Sequence, residues 1–586
     1  MKRHPTLAAS FRRTAPGTAR PLAVALVLIL AAARAAAGGR EEFTRTFAKS
    51  LPLSAGQKLT VDHSHGDIEI TTHREAVLSV EASIRVSASD REAARRLAEE
   101  IRIEVAPDAG GVAVKTVYPQ QSWTFPGMRS TSFSVDYRIV MPENATLGLR
   151  NRFGDVSVTN LKAAGDLFNS NGKLVFRQGA GPQRLENSFG SVELLGNAGD
   201  AAIVNANGSV AASDVQGDLD VRNRFGRTEI ARVGKRCTVT SSNGDLSVDG
   251  AASATLAASF GKVDVRNVSG ALSVRNNNGS VTAASCGKSE LETSFGAISF
   301  SEMRQGVVAT GSNSGVSGRR VGGGATVRTS FGPVELADVD GPVDVENSNG
   351  RILVRDVRGS AKLTTRFGVV DAAGVGGDAT VSDANGSVTL SHVEGMADVR
   401  NSFGDTTVTG AKKGARIVSG NGRVSVSDSG GATYVKTSFG AVEATRVDGD
   451  LTVESSNGGV RAAGVKGNAT IRTSFAPVSL ESVAGAVDVD NQNGAVEVRG
   501  LGRRPGGCSK IQLKASFAPI RVALDPQGSY TLAARTSFGR VSSEIPIATT
   551  GERGDSLSGT IGGGQCEVIL QNSNGNVEIL KGTASP

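Results

Sequence analysis

The sequence predicts an all-β protein, folded as a single-stranded β-solenoid in which the chain coils into stacked turns, or rungs, of about 18 residues. Val, Ser, Thr, Asn and Gly dominate from about residue 150 onward, with 74 Gly and 4% aromatic residues overall, a composition typical of strands and turns. Phe-Gly and Asn-Gly pairs alternate every 18 residues, and a fixed period is the signature of a repeat architecture. Between the pairs, apolar residues recur at a spacing of two, which is strand alternation.

The alternating Phe and Asn positions define twenty consecutive units, with Ser314-Gly315 in the one gap of the pattern. Because every unit keeps the same position for this residue, the positions are expected to lie above one another as a corner ladder along the solenoid. The ladder consists of Phe153, Asn171, Phe189, Asn207, Phe225, Asn243, Phe260, Asn278, Phe295, Phe331, Asn349, Phe367, Asn385, Phe403, Asn421, Phe439, Asn457, Phe475 and Asn493.

The internal pattern of one unit predicts two or three short strands separated by corners, because the apolar alternation changes phase twice. In the unit of residues 439–456, the apolar positions are Val442, Ala444, Val447, Leu451 and Val453. Rungs stack ~4.8 Å apart, so twenty rungs would form a rod ~95 Å long. These inward positions do not follow the spacing of six of left-handed hexapeptide solenoids, so a right-handed coil is favoured.

The sequence allows two orientations of the ladder side chains. Counting in twos from Leu451 and Val453 reaches Asn457, and the same count through Thr437 reaches Phe439, which predicts that Phe and Asn both point inward. Asn would then hydrogen-bond the turn, and the following glycine would take the positive φ of a sharp corner. The alternative is that the phenylalanines face outward as an aromatic stripe that stacks on glycan rings.

Residues 1–37 are expected to be a secretory signal peptide. A basic n-region leads to the apolar run 22–33, and small residues follow at Ala35–Ala37. The run is too short to span a bilayer, which takes ~20 residues, so no transmembrane segment is expected in the mature chain. Six of the 64 basic residues and none of the 57 acidic ones lie in this leader, so the remainder is nearly balanced in charge and lacks the basic footprint of a nucleic-acid-binding protein. The protein is expected in the periplasm, on the outer surface or secreted.

Residues 38–150 are interpreted as an N-terminal β cap with a helix insertion. Residues 59–70 fit one rung, with His65 at the corner position that Asn occupies elsewhere, so His63, His65 and His73 are read as structural rather than as a metal site. A capping box at Ser89-Asp-Arg-Glu92 and an apolar stripe predict a helix over about 90–100, followed by a strand from Ile101. This helix is expected to cover the open end of the solenoid.

Tyr118, Trp123 and Phe125 form the best single candidate for a contact site in this cap. They lie on a Pro-bounded loop that contains the only Trp of the chain, and aromatic side chains dominate binding hot spots. The alternative is that the loop folds back as part of the cap.

The regular solenoid is assigned to residues 151–500 and an irregular C-terminal β cap to residues 501–586. In this cap Phe517, Phe538 and Asn574-Gly575 repeat the corner motif at uneven spacing. Cys508 and Cys566 could pair in an oxidising compartment. Cys237 and Cys286 fall nearly three rungs apart, ~14 Å along the axis, and are expected to be buried and unpaired. Arg553-Gly-Asp-Ser556 resembles an integrin-binding tetrapeptide, but so short a match is weak.

Two further segments carry a resemblance. Leu59-Thr-Val-Asp-His-Ser-His-Gly-Asp-Ile-Glu-Ile70 and Val135-Asp-Tyr-Arg-Ile-Val-Met-Pro142, together with the repeats, resemble the bacterial "putative adhesin" β-repeat family, a domain of unknown function in exported and envelope proteins. The resemblance would cover residues 43–500. It implies a β-solenoid and an adhesive role, and it brings no set of binding residues with it.

Catalysis requires a unique constellation of side chains, which near-identical rungs do not offer, and no P-loop, GxSxG or HExxH motif is present. We therefore expect a non-enzymatic, adhesin-like scaffold without a cofactor that contacts envelope polysaccharides, other extracellular polymers or surface proteins. The first alternative is a self-assembling structural element of the envelope. The second is a β-helix enzyme that acts on polysaccharide.

Overall fold

The structure is a computed structural model that describes residues 40–119, 131–501 and 509–582. The predicted signal peptide 1–37, the loop residues Trp123 and Phe125, and Cys508 lie outside the described residues. The fold is a β-solenoid of about 20 turns with roughly 18 residues per turn, and the described residues are nearly all β, with one helix among them. The predicted fold class and period are thus confirmed, while the right-handed coil stays a prediction. Within the described residues, no helix is long and apolar enough to cross a membrane.

The regular part of the solenoid contributes two strands per rung. Its strands are β8 (Thr146–Phe153), β9 (Val156–Thr159), β10 (Gly165–Asn171), β11 (Leu174–Gly179), β12 (Gln183–Phe189), β13 (Val192–Asn197), β14 (Ala201–Asn207), β15 (Val210–Val215), β16 (Leu219–Phe225), β17 (Thr228–Asn243), β18 (Leu246–Phe260), β19 (Val263–Val268), β20 (Leu272–Asn278), β21 (Val281–Ala284), β22 (Ser289–Phe295), β23 (Ile298–Met303), β24 (Val307–Asn313), β25 (Val316–Val321), β26 (Ala325–Phe331), β27 (Val334–Val339), β28 (Val343–Asn349), β29 (Ile352–Val357), β30 (Ala361–Phe367), β31 (Val370–Val375), β32 (Ala379–Asn385), β33 (Val388–Val393), β34 (Ala397–Phe403), β35 (Thr406–Ala411), β36 (Ala415–Asn421), β37 (Val424–Ser429), β38 (Thr433–Thr437), β39 (Val442–Val447), β40 (Leu451–Ser455), β41 (Val460–Val465), β42 (Ala469–Thr473), β43 (Val478–Val483), β44 (Val487–Asn491) and β45 (Val496–Arg499).

Successive rungs pair in parallel and keep their register, apart from one shift between Val233 and Arg236 where β17 pairs with β18. Leu167, for example, lies between Leu149 of the preceding rung and Leu185 of the following one. Because the register is kept from rung to rung, apolar residues stack on apolar residues along the rod. The result is a continuous core of Val, Leu, Ile and Ala side chains that are almost completely buried.

Each rung turns at two corners. The first follows the Phe or Asn of the repeat, where glycine takes a positive φ, as at Gly172 (125°). A Cβ on Gly172 would lie 2.2 Å from the carbonyl oxygen of Gly154 in the preceding rung, so the corner has no room for a side chain there. At the second corner one residue per rung adopts left-handed geometry, and in most rungs it is not glycine. The non-glycine members are Asn160, Gln178, Asp214, Arg232, Asn267, Ser285, Glu302, Arg320, Asp338, Asp356, His392, Asp428, Arg446 and Ser482.

The N-terminal part adds one more rung and then closes the end of the rod with antiparallel strands. Its elements are β1 (Glu41–Pro52), β2 (Lys58–Asp62), β3 (Ile68–His73), β4 (Val77–Ala88), α1 (Arg91–Glu100), β5 (Arg102–Asp108), β6 (Gly111–Val117) and β7 (Ser132–Pro142). β2 and β3 stack in parallel on β8 and β9, which confirms the predicted rung at 59–70. β6 and β7 cover this rung, and β5, β4 and β1 continue the sheet antiparallel.

The predicted helix and the strand after it are confirmed, but the helix N-cap differs. Asp90 caps the helix, because its Oδ1 accepts the backbone N–H of Ala93 at 2.8 Å, whereas the capping box was expected to start at Ser89. Leu97 and Ala98 are buried where the helix contacts β1 and β4. The helix therefore packs on the outermost strands of the cap.

The C-terminal part stacks its rungs out of chain order. Its strands are β46 (Ile511–Ala515), β47 (Ile520–Leu524), β48 (Tyr530–Thr536), β49 (Val541–Ser543), β50 (Ala548–Arg553), β51 (Ser556–Ile561), β52 (Cys566–Asn572) and β53 (Val577–Lys581). β46 pairs with β44 on one side and with β52 on the other, and β52 pairs in turn with β48. The last segment of chain thus lies between two earlier ones, and β51 and β50 close the end antiparallel.

The cysteines agree with the sequence-based expectation where the structure describes them. Cys237 and Cys286 are buried and unpaired, and burial raises the pKa of the Cys237 thiol to about 12. Cys566 is disulfide-bonded, and its expected partner Cys508 lies outside the described residues.

Candidate functional site

The corner ladder exists, but its side chains point outward rather than inward. Phe153, for example, faces Asn171 across one pair of rungs, and Asn171 faces Phe189 across the next. The ladder phenylalanines are exposed, from 42% for Phe225 to 78% for Phe538. The expected inward orientation is therefore wrong, and the outward alternative describes the geometry. We call the exposed column the aromatic stripe, and its members are Phe153, Asn171, Phe189, Asn207, Phe225, Asn243, Phe260, Asn278, Phe295, Asn313, Phe331, Asn349, Phe367, Asn385, Phe403, Asn421, Phe439, Asn457, Phe475, Asn493, Phe517, Asn574 and Phe538.

One position of the ladder also needs correction. Asn313, not Ser314, pairs with Phe295 on one side and with Phe331 on the other, so this rung keeps an asparagine in the stripe. Ser314 is buried at the position that glycine holds in other rungs. The alternation of Phe and Asn therefore has no gap here.

In most rungs the stripe residue is the last residue of its strand, as Phe153 is in β8, and it faces outward because the in-out alternation already breaks there as the chain enters the corner. The last inward position is two residues earlier, where a second polar column fills the inside of the corner. Asn401 is typical: it is buried, and its Nδ2 donates to the carbonyl oxygens of Gly386 (2.9 Å) and Gly404 (3.1 Å). This buried amide holds the turn of two rungs together, so the next corner residue, Phe403, is left outside. We call this the inner polar column: Asn151, Asn169, Asn187, Asn205, Asn223, Ser241, Asn276, Thr293, Thr329, Asn347, Thr365, Asp383, Asn401, Ser419, Thr437, Ser455, Thr473 and Asn491.

The asparagines of the stripe are half-buried or exposed, and five of them donate a hydrogen bond to a carbonyl oxygen of the neighbouring rung. Asn171 donates from Nδ2 to the carbonyl oxygen of Arg152 at 3.0 Å, and Asn207 bonds Ser188 in the same way at 3.3 Å. These amides thus lie against the backbone of the neighbouring rung. Successive phenylalanines of the stripe lie two rungs apart, ~9.6 Å, and the asparagine between them leaves a lower, polar stretch of surface.

The alternation continues through the C-terminal region, although the chain order does not. The backbone N–H of Phe517 bonds Gln492, that of Asn574 bonds Ser516, and that of Phe538 bonds Ser573. In space the stripe therefore runs Asn493, Phe517, Asn574, Phe538. The irregular sequence spacing of these residues arises because the last rung is inserted between the two before it.

One flank of the stripe is small, polar and uncharged in most rungs. Serine precedes the stripe residue in fifteen of the rungs, and no acidic residue does so in any: the serines are Ser170, Ser188, Ser242, Ser259, Ser294, Ser312, Ser330, Ser348, Ser402, Ser438, Ser456, Ser474, Ser516, Ser537 and Ser573. All of them are half-buried or exposed. The other flank carries charges of both signs, such as Lys173 and Asp245. The stripe and its serine flank thus offer aromatic, amide and hydroxyl groups.

The N-terminal end of the stripe meets an aromatic cluster. His65 forms a parallel bridge to Phe153 and stacks on its ring, with 5.2 Å between centroids. This confirms the expectation that His65 occupies the corner position. Tyr118 and Phe133 pack against the same histidine ring at 5.4 and 5.1 Å.

A buried hydrogen-bonded chain lies behind this cluster. His63 Nδ1 bonds Thr116 Oγ1 at 2.8 Å, and Thr116 Oγ1 bonds Tyr137 Oη at 2.7 Å. Burial lowers the pKa of His63 to about 4 and raises the pKa of the Tyr137 hydroxyl, so both side chains are neutral near pH 7. The network therefore acts as a polar element of the cap core.

The predicted contact loop is only partly described. Tyr118 is half-buried, and its Oη accepts the backbone N–H of His65 at 3.2 Å. This residue therefore packs into the cap. Trp123 and Phe125 lie outside the described residues, so a role in binding stays a prediction for the loop.

The remaining motifs do not form a metal centre. His73 lies apart from the cluster and bonds the carbonyl oxygen of Val77 at 2.7 Å. In the described ranges, no three His, Cys, Asp or Glu side chains are grouped so that they could hold a metal ion. Arg553-Gly-Asp-Ser556 forms the turn between β50 and β51, and Asp555 at its tip is exposed.

Comparison with known proteins yields only weak similarity, and that to solved structures. No family model matches the chain, and no curated protein is similar to it. Among solved structures, the chain is similar to a "putative cell adhesion protein" from Clostridium sporogenes, with a TM-score of 0.17 and 8% identity over 38% of this chain and 99% of that one. A similarity of this size bears neither on fold nor on function, and the resemblance to the adhesin family stays a prediction.

Proposed function

We propose that this protein is a non-enzymatic, exported, adhesin-like scaffold that binds extended polymers of the cell envelope or the extracellular space along the aromatic stripe. The observation that carries the proposal is the stripe itself: phenylalanine recurs on every second rung, exposed, from Phe153 to Phe538. The rings are separate from one another, but their regular recurrence along one line distinguishes them from the singly scattered apolar residues of an ordinary protein surface.

The fold does not require phenylalanine at these positions. Every second rung has asparagine at the same corner and continues the same ladder in the same register, as Asn349 does between Phe331 and Phe367. Packing of the core therefore does not explain why phenylalanine recurs at this corner. A function at the surface does explain it.

The length of the stripe favours a polymer over a small ligand. About twenty rungs spaced ~4.8 Å apart present the same two groups in alternation along one line. Single aromatic contacts are weak, ~0.5–1.5 kcal/mol each, but a polymer that meets many of them binds by avidity. A long flat rod with repeated weak contacts is suited to holding on to surfaces and fibres.

The test is a pull-down of the mature chain, from Gly38 onward, on isolated envelope fractions and polysaccharides. One variant changes Phe295, Phe331, Phe367 and Phe403 to asparagine, which the chain itself uses at this corner. A matched variant changes Tyr118, Trp123 and Phe125 to alanine. Saturable binding that is lost only in the stripe variant supports the proposal. Loss only in the loop variant moves the site to the loop, and no binding by the wild-type chain overturns the proposal.

Self-assembly is the second candidate, and the stripe gives it a specific basis. An alternating row of large and small side chains is self-complementary, because the rings of one copy could fill the steps over the asparagines of another. Sedimentation velocity of the mature chain over a wide concentration range separates the two functions. Dimers or filaments that disappear in the stripe variant favour assembly, whereas a monomer that binds polymer favours adhesion.

A further inference from the structure

We propose that the polymer is a linear, uncharged β-1,4-linked glycan, with alternate sugars stacked on the phenylalanines and the intervening sugars hydrogen-bonded to the asparagines and the flanking serines. This inference rests on the proposed function of the aromatic stripe. It adds the ligand class and the register in which the ligand lies.

The period of the stripe carries the inference. Equivalent rings recur every two rungs, ~9.6 Å, with one polar rung between them. In extended β-1,4-linked chains of glucose or N-acetylglucosamine, each sugar is turned over relative to the last, so the same face returns at every second sugar. The length that one sugar adds to such a chain is close to the rung spacing. One sugar per rung therefore lays the same face of the sugar on each Phe and the opposite face over each Asn, where the amide and the flanking serine can bond the hydroxyl groups at the edge of that sugar.

The chemistry of the stripe agrees with this register. A pyranose presents a C–H face that packs on an aromatic ring, and hydroxyl groups at its edge that bond to amides and hydroxyls. At the phenylalanine rungs, the exposed rings of Phe331 and Phe367 offer the first kind of contact. At the asparagine rung between them, Asn349 and its neighbour Ser348 offer the second kind and are both half-buried.

The charge distribution favours a neutral chain. The stripe residues carry no charge, and the serine flank has three arginines and no carboxylate, so there is no continuous basic row along which a polyuronate or a nucleic acid would lie. The continuity of the stripe argues in the same direction. Its residues pair from rung to rung between Phe153 and Asn421, and an extended chain can follow such an unbroken column farther than a helical α-linked glucan can.

Most rings of the stripe are also free to receive a ligand. Among the described residues, no ring contact joins two phenylalanines of the stripe, because an asparagine rung separates them. Phenylalanine on every rung would instead let neighbouring rings stack on each other at ~4.8 Å, within the range of aromatic pairs. The exceptions are Phe153, which stacks on His65, and Phe225, over whose ring the Arg224 guanidinium lies at 5.3 Å.

The experiment measures binding of the mature chain to defined glycans. Cello-oligosaccharides and N-acetylchito-oligosaccharides of increasing length are compared with α-linked malto-oligosaccharides and with oligogalacturonate, by calorimetry or affinity electrophoresis. We expect the affinity for the β-1,4-linked series to rise with length and to exceed that for the two controls. Phe331→Asn should weaken binding about two- to tenfold at the sites that include this ring, the value of one aromatic contact, and leave the sites elsewhere on the stripe unchanged.

A swap variant tests the register at constant composition. Phe331→Asn combined with Asn349→Phe keeps the number of rings but makes their spacing uneven, three rungs on one side and one on the other. We expect long oligosaccharides to bind this variant no better than Phe331→Asn alone. Circular dichroism and the thermal midpoint check that both variants keep the wild-type fold, since both substitutions use residues that the corner already carries.

Each other outcome has a defined meaning. If α-linked or anionic chains bind as tightly as the β-1,4-linked series and also depend on Phe331, the proposed ligand class is wrong. The proposal that a polymer binds at the stripe would still stand. Wild-type affinity of the swap variant overturns the register. Concentration-dependent dimerisation that is abolished by Phe331→Asn, with no glycan bound, overturns both and assigns the stripe to a second copy of the chain.

Discussion

The two corners of each rung solve the same problem of turning the chain, yet they differ in what they show to solvent. At the left-handed corner the exposed residue varies among Asn, Gln, Asp, Arg, Ser, Glu, His and Gly, and opposite charges often pair between neighbours, as Arg232 does with Asp214 at 2.6 Å. At the stripe corner the exposed residue is Phe or Asn throughout. The twenty rungs repeat the same two turns, so the variety of residues at the left-handed corner shows which side chains such a turn tolerates. The limitation to Phe and Asn at the stripe corner therefore indicates a requirement that does not come from the turn itself.

The largest expected effect comes from the glycine that makes the stripe corner. Gly404 has φ 120°, and a Cβ there would lie 2.1 Å from the carbonyl oxygen of Gly386 in the rung before it. Gly404→Ala should therefore lower the free energy of unfolding by ~2–4 kcal/mol, from backbone strain and overpacking together. Denaturant unfolding measures the change. Gly410→Ala is the control at the other corner, because there the nearest atom would be 3.6 Å away, and it should cost less.

The next effect separates the inner polar column from the stripe. Asn401→Ala removes hydrogen bonds to Gly386 and Gly404 inside the corner and should cost ~1–3 kcal/mol of stability. Phe403→Asn, two residues later, removes a larger side chain that is 54% exposed and should leave the thermal midpoint nearly unchanged. If Phe403→Asn proved as destabilising as Asn401→Ala, the ring would belong to the core and the functional reading of the stripe would fail.

The sequence predicted the rung but not the direction of its most distinctive residue, for a physical reason. Counting in twos from Val453 through Ser455 correctly places Ser455 inward, and it is buried. The count then assumes that the strand continues to Asn457, whereas the chain has already begun to turn, so the alternation no longer applies. The recurrent Asn, Thr or Ser two positions before the corner was a signal for this, because a second polar column inside the core needs turn carbonyls as partners.

Other parts of the fold depend on contacts that are remote in sequence. The rung at 59–70 could be identified from its spacing, since the pattern is local. The insertion of Cys566–Lys581 between two earlier rungs could not, because the uneven spacing of Phe517, Phe538 and Asn574 fits more than one stacking order. Only the pairing of β52 with both β46 and β48 shows that the stripe continues.

A smaller effect, dependent on pH, is expected at the one carboxyl group of the inner polar column. Burial raises the pKa of Asp383 from its ordinary value of 3.8 to about 6. Its charged form therefore destabilises the fold as pH rises from about 4 through 6, whereas the protonated form does not. Asp383→Asn, which restores the commonest residue of the column, should stabilise the protein by ~1–2 kcal/mol at pH 7–8. The gain should vanish at pH 4, and a gain that is independent of pH would contradict the assignment.

The smallest effect is expected at the left-handed corner. Arg232 hydrogen-bonds Asp214 through Nε and Nη2, which lowers the pKa of the Asp214 carboxyl to about 2, but both side chains are largely exposed. Exposed pairs are screened by water and salt, so Asp214→Asn should leave the thermal midpoint unchanged within error at physiological salt. It should also leave glycan binding unchanged, because the pair lies at the other corner of the rung. If neutralising Asp214 reduced binding while Phe331→Asn did not, the ligand would lie on the left-handed corner. The limitation of the stripe corner to Phe and Asn would then not indicate the binding surface.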